Sequence, residues 1–244
     1  MSRRRFFVDS IRQGEAQLAG DGAEHLRRVL RAQVGQRFEI TDDRAAWLAE
    51  ISGFGRWLVR FRLLEPLPEA SPGVPVVLLA SLFKFDRFEW MIEKVTELGV
   101  AEIWPVNAAR TERGLAEGAR KRLDRWRKLA RSAAEQSRRL HLPRIFEPEE
   151  LGEALRQRPV LGLVLDEIER ARRLLHALPP VLPAGDPVRL LVGPEGGWTP
   201  HERSAITAAG WTAVSLGPGI LRAETAAMAA VALVRHAVSV TGLH

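Results

Sequence analysis

The sequence contains no cysteine. That excludes disulfides, thiolate metal sites and a cysteine nucleophile. Its 6 histidines are scattered, with no HExxH or other ligand spacing, so no metal is expected. There is no apolar run of the roughly 18 residues that a membrane span needs. The first residues, MSRRRFFVDS, have the basic start of a signal peptide but no apolar stretch after it. The expectation is a cytoplasmic protein. A P-loop, GxxxxGK[ST], is missing, and so is the G-x-G-x-x-G turn of dinucleotide-binding folds.

What is present is a chain of 244 residues, 46% of them apolar, enough to fill a real core. The net charge is +6, and it is unevenly placed. Arg110 to Arg144 holds twelve Lys/Arg and four Asp/Glu, so the rest of the chain is slightly acidic. A local excess of this kind fits a polyanion such as nucleic acid. The plainer reading is a solvated basic helix in an arginine-rich proteome.

The pattern changes once along the chain. Short alternating runs come first: RRFFVDS, QRFEITD, AAWLAEIS and RWLVRFRLLE, interrupted by one helix at about 22–31. This reads as a small β-barrel over residues 1–68. EPLPEASPGVP, with four prolines, marks a linker, taken as 69–75. From Val76 strand and helix alternate to residue 244, which predicts an α/β domain with a mainly parallel sheet. Asp86 is the expected cap of its first helix, followed by an apolar stripe of Phe88, Met91, Ile92, Val95 and Leu98 ending at Gly99. A long helix is expected from about Ala119 to Leu140, with Ala119, Leu123, Trp126, Ala130, Ala133, Ser137 and Leu140 inward. EIERARRLLHAL is read as a helix after the strand VLGLVLD. The last helix, to about Val240, is so apolar that it should be buried, partly against a second copy.

Two glycine turns follow apolar strands: LLVGPEGGWTPHE, 190–202, and SLGPGILRAETAA, 215–227. Thr199, Pro200 and Glu202 spell a capping box with proline at the first helical position. Gly193, Gly196 and Gly197 permit close approach to the main chain. The simplest reading of one such turn is a tight strand-to-helix connection. Two of them at neighbouring strand ends suggest a ligand site. Glu195 argues against a phosphate ligand, because like charges about 4 Å apart repel by several kcal/mol at an effective dielectric near 20. A cationic nucleoside without phosphate, such as S-adenosylmethionine, would be compatible.

These two turns resemble the signature of SPOUT-type RNA methyltransferases, and more narrowly the RsmE family, which methylates N3 of a uridine in 16S ribosomal RNA. KFDRFEWMIEKVTELGVAEIWPV (84–106), AEQSRRLHLPRI (134–145) and HLRRVLRAQVGQRFEITDD (25–43) resemble the same family. Where that family tends to have Asp-Gly, this chain has Asp42-Asp43. The resemblance implies a PUA-like RNA-binding barrel, and an α/β domain with a trefoil knot that works as a homodimer. It also implies bent S-adenosylmethionine among three loops. Those loops are the strand end at Leu165, the stretch Val192, Gly193, Pro194, Glu195, Gly196 and Gly197, and the stretch Leu216, Gly217, Ile220, Leu221, Arg222, Thr225 and Ala226.

For catalysis the candidates are Arg222, to stabilise a uracil anion, and Glu224, whose other reading is a helix N-terminus that favours acids. Glu195 could face the sulfonium or act on the substrate. Candidate RNA contacts are Arg3, Arg4, Arg5, Lys84, Lys94, Arg110, Arg138 and Arg139, with Arg113 beside them. The partner would be 16S ribosomal RNA, within the small subunit. Two other readings stay open: a non-enzymatic RNA-binding or ribosome-assembly protein on this fold, and a SPOUT methyltransferase acting at another RNA position.

Overall fold

The computed structural model describes residues 4–68, 73–167 and 172–241. The chain falls into two units: Met1–Ala70 with Ala134–Leu142, and Ser71–Ala133 with Pro143–His244. Of the expected linker, 69–72 lie outside the described residues, as does Arg3.

The first unit contains β1 (Arg5–Phe7), β2 (Ser10–Arg12), β3 (Glu15–Ala19), α1 (Gly20–Glu24), β4 (Arg37–Thr41), β5 (Ala46–Phe54) and β6 (Leu58–Pro66). They form one sheet in the order β1-β4-β5-β6-β3-β2. Its two edges, β1 and β2, are consecutive in the chain. Val8 N–H bonds Thr41 O on one side and Asp9 N–H bonds Gln17 O on the other. A sheet whose opposite edges are joined by two residues has to curl, which is the barrel-like closure expected. Phe6, Leu18, Leu26, Ile40, Ile51, Val59 and Phe61 fill the interior.

The β2–β3 hairpin had no legible strand pattern, because each strand is so short. Its turn is made by Gln13 and Gly14, both with positive φ, 49° and 81°. The helix expected at 22–31 is instead α1 followed by a π-helical turn, His25–Val29, closed by Leu30 N–H to His25 O at 3.0 Å.

Residues 134–142 group with this unit through a buried carboxylate. Glu39 is 3% exposed. Arg5 Nη2 donates to its Oε2 at 3.0 Å, Arg138 Nε donates to the same oxygen at 3.0 Å, and Arg138 Nη2 bonds Oε1. Arg5 and Arg138, expected on RNA, thus share one acid, Arg5 buried and Arg138 still half exposed. Asp43 adds a second tie: its Oδ1 accepts from Leu142 N–H and its carbonyl bonds His141 Nδ1, both at 2.8 Å. Asp43 takes φ 70°, a conformation that glycine adopts most readily, while its carboxylate makes a bond that glycine could not.

The second unit runs β7 (Val76–Ser81), α2 (Phe85–Glu97), β8 (Glu102–Asn107), α3 (Leu115–Gln136, to Ala133 in this unit), β9 (Arg144–Ile145), β10 (Glu149–Glu150), α4 (Leu151–Ala154), β11 (Leu161–Leu165), α5 (Leu174–Ala177), β12 (Val181–Pro183), β13 (Val188–Val192), α6 (Pro200–Ala208), β14 (Thr212–Val214), α7 (Ala223–Ala237) and β15 (Ser239–Thr241). The main sheet has the order β10-β8-β7-β13-β11-β14, with β9 beside β8, and every pairing is parallel. Strand β7 shows why its residues read as one apolar run. Val76, Leu78 and Ala80 pack against α2, α3 and α7, while Val77 and Leu79 pack against α4, Trp198, Ile206 and Trp211.

Several boundaries differ from expectation. Lys84 is the residue at the N-cap of α2, and Asp86 lies in the first turn. α3 ends at Gln136, so Ser137 and Leu140 lie beyond it, while Ala119, Leu123, Trp126, Ala130 and Ala133 are buried as the periodicity required. Residues 168–171 of the helix read in EIERARRLLHAL lie outside the described residues, and α5 covers only Leu174–Ala177. α7 stops at Ala237 because Val238 is extended and the chain continues into β15, which pairs with β12.

The capping box is present. Glu202 N–H donates to Thr199 Oγ1 at 3.2 Å, and Thr199 N–H donates to Glu202 Oε2 at 2.8 Å. The other Glu202 oxygen accepts from Ala109 N–H at 2.8 Å, which ties the loop after β8 to the start of α6. Burial opposes the Glu202 charge, but the bonds from Ala109 and Thr199, with Arg110 nearby, outweigh it and hold the carboxyl below its ordinary 4.5.

Two outcomes follow. Glu39→Ala should destabilise the first unit by about 3 kcal/mol in denaturant unfolding, because Arg5 is left buried and unpaired; Arg138→Ala, which leaves the Arg5–Glu39 pair intact, should cost clearly less. The Glu202 pKa is depressed on folding, so its stabilisation is complete above pH 4.5 and lost as pH falls through the folded value. Glu202→Gln should therefore show a shallower loss of stability below pH 4.5 than the parent chain, read as thermal midpoint against pH.

Candidate active site

Three parallel strands end at one level. Leu165, the last residue of β11, is in register with Val192 at the end of β13 and with Val214 at the end of β14. The chain leaves each of them through a loop, and the three loops enclose a cavity of about 360 Å³. Open α/β sheets present ligand sites at just such ends.

The first loop is built around Trp198, which is 1% exposed. Its Nε1 donates to Leu165 O at 3.2 Å. A Cβ on Gly193 would lie 3.0 Å from this ring, so the glycine makes room for tryptophan as well as for any ligand. Gly197, at φ 68°, closes the turn by donating to Pro194 O at 2.8 Å. From α6, Arg203 grips two loops together. Its Nε and Nη2 bond the Asp166 carboxylate at 2.7 and 3.2 Å, and its Nη1 bonds Trp198 O at 2.7 Å. Bidentate geometry of this kind fixes direction as well as distance. In the loop after β14, the Ser215 hydroxyl bonds both N–H and O of Gly217 at 3.0 Å, and Gly217 has φ 134°. Ile220 beyond it is 84% exposed.

Most residues singled out in the sequence line this cavity: Leu165; Val192, Gly193, Pro194, Glu195 and Gly197; Leu216, Gly217, Ile220, Leu221, Arg222 and Ala226. Gly196 and Thr225 do not. The Gly196 carbonyl accepts from Arg110 Nη1 at 2.6 Å, so Arg110, expected on RNA, braces the first loop. Thr225 is exposed. Glu224, expected to be catalytic, also stays off the cavity wall. It is 4% exposed, and its Oε2 has no hydrogen-bond partner among the described residues.

Arg87, on α2, lines the cavity and was not singled out in the sequence. Its Nη1 bonds Glu195 Oε1 at 2.6 Å, and its Nε lies 3.9 Å from Glu224 Oε1. One guanidinium thus stands between an acid on the first loop and a buried acid at the start of α7. Asp166, Glu167, Trp198 and Arg203 were missed as well. The only local hint was that Trp198 follows the glycines directly; the rest depends on partners remote in the chain.

The remaining basic candidates are dispersed. Arg4 bonds the His25 ring at 2.9 Å; burial first, then the Arg4 charge, lower the His25 pKa. Lys94 is held by Glu93 at 2.7 Å and Glu97 at 2.9 Å; these bonds raise its pKa. Lys84 is exposed at the start of α2. Arg139 is partly buried, and its N–H bonds Ala134 O at 2.9 Å. Among the described residues no three acidic or histidine side chains gather as a metal site, and no helix is long and apolar enough to cross a membrane.

Comparison with known proteins agrees with this architecture. Residues 70–235 match the family model described as an RNA methyltransferase domain, and residues 18–60 match an RNA methyltransferase PUA domain. The ribosomal RNA small subunit methyltransferase E of Mycobacterium bovis is 36% identical over 243 residues, covering 94% of this chain and 90% of that protein. The crystal structure of the Neisseria gonorrhoeae ribosomal RNA small subunit methyltransferase E bound to S-adenosyl methionine superposes with a TM-score of 0.84 at 30% identity, covering 94% of this chain and 95% of the other. A putative methyltransferase of Legionella pneumophila, in complex with the same cofactor, gives a TM-score of 0.86 at 26% identity, with coverages of 98% and 99%. The α/β unit with its parallel sheet, the N-terminal PUA domain and these full-length matches establish that the chain belongs to the ribosomal RNA small subunit methyltransferase E family.

Proposed function

We infer that the protein is an S-adenosylmethionine-dependent methyltransferase acting on 16S ribosomal RNA, at N3 of a uridine. The observation that carries this reading is the cavity at the aligned ends of β11, β13 and β14. Its walls suit the cofactor. Leu165, Val192, Leu216 and Ala226 offer apolar surface and the glycines expose main chain, while Asp166, Glu167 and Glu195 outnumber Arg87 and Arg222, which favours a cationic ligand over a phosphate. The unpartnered Glu224 oxygen behind Arg87 adds to the negative potential there. The cofactor supplies a methyl carbon on a positively charged sulfur.

The chain's own residues then have two tasks. The first is alignment. The loops hold donor and base in line, which Arg203, Trp198 and Arg110 make possible by fixing the loops themselves. The second is charge. Uracil N3 carries a proton, so negative charge grows on the base as that proton leaves, and a preset cation at the cavity wall stabilises it. Arg222 and Arg87 both line the cavity; Arg87 is the better oriented, being gripped by Glu195 and backed by Glu224. Glu195, at the exposed mouth, is the acid placed to receive the proton directly or through water.

The proposal includes the homodimer, the knot of the SPOUT fold and a cytoplasmic location. The exposed apolar pair Ile220 and Leu221 at the cavity lip, and the half-buried Met228, Ala229, Ala232 and Leu233 on α7, support the dimer. Sedimentation at micromolar concentration should then give a two-chain species, and a single-chain species would remove it.

The reaction is tested by incubating the protein and donor with unmodified small subunits and mapping the RNA by mass spectrometry. N3-methyluridine is expected. A methylated ribose would reject the position, and no methylation together with no calorimetric heat for the donor would leave an RNA-binding protein without turnover. Arg87→Ala should lower the single-turnover rate by about 10²-fold, with donor affinity changed far less.

A further inference from the structure

Two of the RNA candidates in the first unit, Arg5 and Arg138, are bound to Glu39, Arg138 with half of its side chain exposed. Another part of the first unit carries cations that remain at the surface. The turn between β5 and β6 is Gly55–Leu58, closed by Gly55 N–H to Leu58 O at 2.9 Å. Trp57 at its tip is 73% exposed. This turn is not a loose loop. Arg27, on the π-helical turn, donates to Arg56 O at 2.8 Å, to Leu58 O at 3.0 Å and to Gly55 O. One guanidinium therefore fixes three carbonyls of the tip and holds it against the π-helical turn.

The side chains gathered there share a chemistry. The Arg56 guanidinium lies over the Trp57 ring at 5.4 Å, and that of Arg27 over Phe54 at 5.5 Å. Residues 24–31 and 55–60 contain Arg27, Arg28, Arg31, Arg56 and Arg60 against a single acid, Glu24. Arg28, Arg31, Arg56, Trp57 and Arg60 are all exposed. An indole held in water beside guanidinium groups is the combination on which unpaired bases stack while phosphates pair with the cations. A duplex offers no free base face to such a tip.

We propose that the Gly55–Leu58 turn and the adjoining His25–Arg31 segment form a docking surface for single-stranded RNA, with Trp57 as the base-stacking platform. This rests on the RNA-modifying reading above and adds where the barrel grips its substrate. The occupant is RNA because this surface and its flanks leave Arg28, Arg31, Arg56 and Arg60 exposed against the single carboxylate of Glu24, which pairs with Arg28, a balance that matches a phosphate backbone. Trp57 does not line the cavity, so its loss acts on RNA affinity and not on donor binding.

The test uses fluorescence anisotropy with a labelled twelve-nucleotide oligouridine, a duplex of the same length and intact small subunits. Trp57→Ala should weaken oligouridine binding by roughly 5- to 100-fold, the range for one lost base stack. Trp57→Phe should keep most of the affinity, and Arg56→Glu should lower it and flatten its salt dependence. Calorimetric donor affinity and circular dichroism should match the parent in all three. Oligouridine affinity within twofold of the parent for Trp57→Ala would overturn the proposal. So would tighter binding of the duplex than of the single strand. Loss of subunit binding with unchanged oligouridine binding would overturn it too, by pointing to a ribosomal protein as partner. Failure of the methylation reading shows separately, as absence of methylated product from the parent chain.

Discussion

Arg203 bonds a carboxylate on one loop and a carbonyl on another, and the cavity exists because both bonds are made at once. Asp166 follows β11 and Trp198 closes the loop after β13. Among the described residues, the Trp198 ring adds one further bond across these strand ends, from its Nε1 to Leu165 O. A pocket built largely from glycine-rich loops needs its geometry imposed from behind. Arg203, Trp198, Arg110 and Glu202 form that backing. The same logic governs Gly193. Sequence reasoning assigns it to ligand access, and the structure adds that a side chain there would meet tryptophan.

Parts of this arrangement were legible from the sequence because their causes are local. Thr199, Pro200 and Glu202 specify the start of α6 within four residues, and the capping box formed as spelled. The stripe of α2, apart from Leu98, which is 38% exposed just past the helix, and the two-sided burial of β7 were legible for the same reason: a helix or strand period repeats within one element. The barrel was legible from its short alternating runs; the family resemblance added its PUA-like character and the three-loop cavity, which periodicity alone would not have given.

What was not legible depends on pairing at long range. Arg5, Arg87 and Arg138 are each surrounded in sequence by other charges, and nothing local distinguishes the one that lines a cavity from those that neutralise a buried acid. Glu39 decides the matter for Arg5 and Arg138, and Glu195 with Glu224 for Arg87. Charge density located a basic region, yet much of it pairs internally: Arg122 and Arg125 with Glu89, Arg144 with Glu102. Glu224 is the converse case. Its place at a helix start beside the glycine turn suggested chemistry at the cavity, and the structure buries it behind the Arg87 guanidinium, 3.9 Å from Nε.

The grouping of residues 134–142 with the first unit has a consequence for synthesis of the chain on the ribosome. All six strands of that unit emerge before β7 begins, and they can pair as soon as they leave the exit tunnel. The carboxylate of Glu39 then has Arg5 alone, and the Asp43 carboxylate lacks the Leu142 N–H that donates to it, until all of α3 and the residues up to 142 have been translated. Maturation of the barrel is therefore not strictly vectorial. Its last bonds close only after part of the second unit already exists, so a fragment cut between the units would carry an unfinished barrel.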